Sequence, residues 1–207
     1  MDGKDRVLFI TNYKEIMRNI FIISLIISVF MCCSSRPNYF SNYYTGQYTG
    51  LDTLIDIQGY YVSPFCDSSA YYMVMFYNNG LLLNARTSDP DNKYFVECFN
   101  GQHEDENFEW GCYEIHGDTI KTQTCLDYGP VYGAYTIFRD YLIGADNKLQ
   151  QISDYLLDDV KKQYLNKWKY GKSQFCQPSS FHPLASKRDS SDCELLKKKW
   201  FYKKDKI

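Results

Sequence analysis

The stretch Trp110 to Cys125 (WGCYEIHGDTIKTQTC) constrains the fold most. Apolar and polar residues alternate on both sides of Gly117-Asp118, which fits a two-residue type II′ hairpin turn with glycine first. That turn pairs Ile115 with Ile120 and Tyr113 with Thr122 on one face. On the other face it sets Glu114 opposite Lys121, an attractive cross-strand pair. A chain that commits to this hairpin needs further antiparallel strands beside it, since an isolated hairpin is marginal in water.

More of them are legible. Tyr71 to Arg86 reads as a hairpin around Asn79-Gly80, taken as a type I′ turn. This register puts Val74, Phe76, Leu83 and Ala85 on the core face. Met73, Met75, Tyr77, Leu82, Asn84 and Arg86 then share the other face. Ala134–Ile143 and Lys148–Leu157 form a third hairpin around Gly144-Ala145-Asp146-Asn147. Ile57–Ser63 is a first strand, with Gly59 at a close approach. Lys93–Phe99 reads as a strand and Leu195–Lys204 as a terminal strand. Asp158–Lys169 reads as a short helix, with Val160, Tyr164 and Trp168 at spacing four. Twenty Tyr and thirteen Phe against twelve Gly favour half-buried pleated surfaces. The expected fold is all-β, an antiparallel up-and-down barrel of about eight strands over residues 51–207, with the short helix near 158–169.

The N-terminal part carries an address. Ile20 to Met31 has no charge, follows Arg18 and ends at Cys32-Cys33. The run is too short to span a bilayer but has the proportions of a secretory signal. A cysteine at its end marks a bacterial lipoprotein signal over residues 17–32, with the lipid on Cys33 and Cys32 as the alternative. Residues 1–16 mix acids and bases where such a signal should be short and basic, so translation is expected to begin at Met17. Residues 33–50 read as the lipidated cysteine and a flexible, tyrosine-rich tether.

Without residues 1–32 the chain carries 19 bases against 22 acids, which gives no basic footprint for nucleic acid. Six cysteines then remain besides the anchor. Their even number in an exported chain predicts disulfides, with Cys176–Cys193 the first pair and Cys66, Cys98, Cys112 and Cys125 pairing among themselves. No metal site or cofactor is expected: the histidines stand far apart, no C-x-x-C occurs, and the acidic loop 101–109 lacks EF-hand spacing. Six lysines between Lys197 and Lys206 read as the charged guard of an edge strand, or as contacts to anionic lipid.

The Cys-ended signal, Gly59-Tyr60-Tyr61, the Trp110–Ile120 hairpin, Phe181-His182-Pro183-Leu184 and Leu195–Phe201 together resemble the uncharacterised lipocalin-like lipoprotein family of Bacteroides-type bacteria. The resemblance covers most of residues 55–202 and implies a lipocalin-like barrel and an envelope location, with no catalytic residue. Ser34-Ser35-Arg36 after the anchor, in place of acids, favours an outer-membrane protein facing the periplasm. Three functions follow as expectations. The first is a non-enzymatic barrel that binds a small apolar ligand, with Met73, Met75 and Tyr77 as lining, or binds a partner protein. The second is a filled-core module that recognises protein through exposed tyrosines. The third is an envelope enzyme using Glu97, Asp105, Glu109, His103 or His116 as acid–base groups, disfavoured because no G-x-S-x-G, H-E-x-x-H or phosphate loop is present.

Overall fold

The computed structural model describes residues 36–37, 40, 44–65, 70–91, 93–103, 108–127, 134–144, 148–156 and 177–202. The signal, Cys32, Cys33, Cys66, Asp105, Cys176 and the helix expected at 158–169 lie outside them.

Eight antiparallel strands form one sheet: β1 (Gly59–Pro64), β2 (Tyr71–Phe76), β3 (Leu81–Thr87), β4 (Phe108–His116), β5 (Thr119–Asp127), β6 (Ala134–Ile143), β7 (Leu149–Leu156) and β8 (Ser180–Pro183). Strands β1 to β7 follow one another up and down, and β8 returns to pair with β1. The sheet curls into a nearly closed barrel, and the Ser179 amide donates to the Leu149 carbonyl at 2.7 Å across the remaining gap to β7. Gly59 sits where expected at a close approach: a Cβ there would lie 2.1 Å from the His182 carbonyl oxygen.

The β4–β5 hairpin has the expected register, Ile115 on Ile120, Glu114 on Lys121 and Tyr113 on Thr122. Gly117 takes the positive φ (63°) that the turn requires. The Glu114 carboxylate lies 2.5 Å from His116 Nε2. The β2–β3 hairpin differs from expectation by one residue. Its loop has three residues, Asn78-Asn79-Gly80, closed by Tyr77 N–H to Leu81 O (2.9 Å) and Gly80 N–H to Tyr77 O (3.2 Å). Gly80, at φ 86°, fills the left-handed position of a three-residue hairpin. Met75 therefore pairs with Leu83 and Val74 with Asn84, and the β3 residues exchange faces.

Both faces of this hairpin are buried, because the sheet is covered on both sides. The barrel interior holds Leu51, Ile55, Tyr61, Val74, Phe76, Leu82, Tyr113, Ile120, Tyr141 and Leu149. The outer face of β1–β4 holds a second core, in which Met73, Met75, Tyr77, Leu81, Leu83 and Cys112 pack with Phe99, Leu195 and Phe201. Residues outside the strands supply that cover.

Lys93–Phe99 forms one of these covers as helix α1, not the expected strand. Its end explains why. Gly101 N–H bonds Cys98 O (3.0 Å) and Gln102 N–H bonds Glu97 O (2.9 Å), the paired bonds of a Schellman cap. That cap needs a residue at positive φ, which Gly101 supplies at 79°. Lys93 and Glu97 form an i,i+4 ion pair at 3.0 Å, and Phe99 stacks on Tyr60 with ring centroids 5.0 Å apart. The C-terminal segment is the second cover. It has a 3-10 turn at Glu194–Lys197 and an isolated parallel bridge from Tyr202 to Tyr44, in place of the expected strand. Phe40 and Tyr44 are buried against Trp200 and Phe201, so this part of the expected tether is packed.

The expected disulfides are corrected as far as the described cysteines go. Among the described residues Cys98, Cys112, Cys125 and Cys193 form no disulfide. Cys98, Cys112 and Cys193 are fully buried and act as small apolar core residues. Cys193 is thus no half of a Cys176 bridge, and burial pushes its thiol up to about 12.

Candidate functional site

The expected ligand-lining residues do not face the barrel interior. Met73 and Met75 are fully buried and Tyr77 is nearly so, all on the outer face beneath α1 and the C-terminal segment. The Tyr77 hydroxyl donates to the Arg188 carbonyl at 2.9 Å. These side chains are filled core.

The interior divides into two levels. At one end the 3-10 turn Leu51–Thr53 inserts Leu51. Phe76 meets the rings of Tyr113 and Tyr141 edge-on, with centroids 5.4 Å and 5.9 Å away. The Tyr113 hydroxyl donates to Tyr77 O at 2.7 Å and lies 2.7 Å from Thr49 Oγ1. Burial raises the Tyr61, Tyr77 and Tyr113 phenols above their ordinary range. Aromatic side chains plug this half.

Further along the same strands the interior turns polar. Strand register carries Asn84 onto the face of Val74 and Phe76, and Thr122, Thr124 and Arg139 onto the face of Tyr113 and Ile120. Arg139, nearly buried, reaches across from β6 to β2 and stacks on Tyr72, its guanidinium carbon 4.0 Å from the ring centroid. Asn84 Nδ2 donates to Thr124 Oγ1 at 2.8 Å. Gly111, paired with Leu82 on one side and Thr124 on the other, presents no side chain between them. A Cβ at Gly111 would lie 2.2 Å from the Gln123 carbonyl oxygen. Ser63 Oγ lies 2.6 Å from Ser179 Oγ where β1 meets the chain entering β8.

Asn84 Oδ1 is the distinctive atom of this level. The residue is 2% exposed, yet this acceptor has no hydrogen-bond partner. A buried, unsatisfied amide oxygen costs about 1–3 kcal/mol, so its persistence calls for an explanation. Gln123 also leaves its amide unsatisfied, but register places it with Cys112 and Phe138 on the outer face. The sequence reading put Asn84 beside Met75; the one-residue shift of β3 moves it into the barrel. Its signal was an asparagine inside a run of otherwise apolar strand residues.

The acid–base candidates do not converge. Glu97 lies 3.0 Å from Lys93 and 3.3 Å from His103 at the end of α1, while His116 pairs with Glu114 at the β4–β5 turn. Glu109 stands on β4 opposite Asn84. Among the described residues no group of three His, Cys, Asp or Glu side chains is placed to hold a metal ion.

One half-buried cation sits at the plugged end. Lys187 Nζ donates to the Ile57 and Phe76 carbonyls, both at 2.7 Å, and lies 4.4 Å from the centre of the Tyr77 ring. Burial pushes its pKa down to about 8, opposed by Asp56. From about pH 8 upward the unfolded chain holds this proton more tightly than the folded one, so stability should rise with pH there. The raised tyrosines act in the opposite sense: above about pH 10 the unfolded phenols ionise first and stability should fall. Thermal melts between these limits should show the rise in the native protein and lose it in Lys187→Met. No family model, curated protein or solved structure matches this chain.

Proposed function

We propose that the protein is a lipid-anchored, non-enzymatic barrel of the cell envelope that holds a small molecule in the polar half of its interior. The observation that carries the binding reading is Asn84 Oδ1, a buried acceptor aimed into a polar level that also contains Thr122, Thr124 and Arg139. A ligand N–H or O–H would satisfy it, and the Arg139–Tyr72 stack would meet a polar or anionic group. Plugging of the other half by Phe76, Tyr113 and Tyr141 favours a polar-headed guest over a purely apolar one. The anchor and envelope location rest on the signal ending at Cys32-Cys33, and the lipocalin-like resemblance agrees with both. The tyrosine-recognition alternative has less support. The exposed Tyr48 and Tyr202 hydroxyls are engaged by Asp52 and Leu196, and Tyr94 stacks on His103.

Native mass spectrometry of the protein purified from a diderm host tests the binding reading. The native chain should carry an additional small-molecule mass, and Asn84→Leu should lose at least about nine-tenths of it, the equivalent of one 1.4 kcal/mol hydrogen bond. A bare native chain, or one whose adduct is indifferent to Asn84→Leu, would overturn it.

A further inference from the structure

We infer that the barrel lies directly against an anionic membrane surface through its C-terminal segment, a conclusion that rests on the lipid-anchor reading. A flexible tether over residues 33–50 would let the barrel stand roughly 55 Å from the bilayer. The packed residues leave no such length. Pro37 is buried, Phe40 is fully buried with its ring 5.4 Å from Trp200 and 5.7 Å from Phe201, and Tyr44 stacks on Phe201 at 4.9 Å. The Arg36 guanidinium bonds the Phe40 carbonyl, and Tyr44 bridges Tyr202. From a lipid on Cys33 to Pro37 the chain can reach roughly 14 Å at full extension. The surface beside this strap therefore faces the headgroups.

That surface is cationic. Lys197, Lys199 and Arg36 are exposed there, and the sequence 197–206 contains six lysines against Asp205 alone. Lys197 also meets Glu194 at 2.8 Å, but both side chains remain about 70% exposed, as a screened surface pair does. Tyr202, 42% exposed beside them, has the amphipathic form that suits a headgroup layer. Clustered lysines next to an anchor are attracted to anionic lipid, and the attraction fades within a Debye length. A short strap keeps them inside that range.

Lysine acetylation footprinting of the full lipidated protein tests this. The protein is compared in vesicles of phosphatidylcholine with equimolar phosphatidylglycerol, in phosphatidylcholine vesicles, and in neutral detergent. Lys197 and Lys199 should react at least about threefold more slowly in the anionic vesicles, while exposed Lys121 and Lys148 keep their rates. Lys197→Glu should remain in the vesicles through its lipid and bring the reactivity of Lys199 back toward its rate in detergent. Intact mass separates the two ways to fail. Absence of lipid on Cys33 or Cys32 would remove both the anchor and this inference. A lipidated protein with equal Lys197 and Lys199 rates in all three media would overturn this inference alone.

Discussion

Met75→Lys should cost about 4 kcal/mol or more. Met75 is fully buried between β2 and the outer cover, among Leu83, Phe99 and Phe201. An ammonium there has no water, and burying an unpaired charge is among the few single changes with so large an effect. That is a large share of the roughly 5–15 kcal/mol by which a domain is typically stable. Met75→Leu, which conserves volume, should cost under about 1.5 kcal/mol. Urea unfolding of the two variants checks the contrast. A Met75→Lys protein as stable as the native one would mean that this face is open to solvent.

Phe76→Ala should destabilise by about 3–5 kcal/mol through the opposite face of the same strand. Its ring is the hub of the interior plug, meeting Tyr61, Tyr113 and Tyr141 edge-on. Those three rings are tied to other strands, so they cannot collapse into the space it leaves. Phe76→Leu should lose about half as much, because the transfer and cavity terms both scale with the volume removed. A cost for Phe76→Ala below about 1 kcal/mol, measured in the same urea titrations, would mean that the barrel is not filled at that level.

Neighbouring residues on one strand thus fail for different reasons, and this bears on what the sequence could reveal. The β4–β5 register was legible because its residues differ between faces: Glu114 and Lys121 on one, Ile115 and Ile120 on the other. A one-residue slip would have buried the charges. In β2–β3 nothing arbitrates. Tyr71 to Phe76 is apolar throughout, and Asn79-Gly80 suits a two-residue turn as well as the end of a three-residue one. The longer loop wins, Asn84 moves inside, and the candidate site moves with it. The surplus of apolar side chains suggests a ligand-lining face, whereas it is a second core buried under a cover. That surplus could not say that the cover is a helix and the two ends of the chain.

The helix was missed for a local reason. KYFVECF has strand composition, and only Asn100-Gly101 after it marks a helix end. The strap was missed because Phe40 and Tyr44 lie in a polar, tyrosine-rich stretch with no apolar period. Their partners Trp200 and Phe201 are about 160 residues away, and only the fold unites them. Compartment and number suggest disulfides for the cysteines, whereas burial is what the surroundings of Cys98, Cys112 and Cys193 provide, the latter two within the outer-face core.

An experimental electron-density map of the protein purified from a diderm host, without added ligand, decides whether the polar half of the barrel holds a guest. Density larger than a water molecule is expected there, with a donor within about 3.2 Å of Asn84 Oδ1. A polar half filled by the protein's own side chains, with Asn84 Oδ1 bonded to one of them, would contradict it.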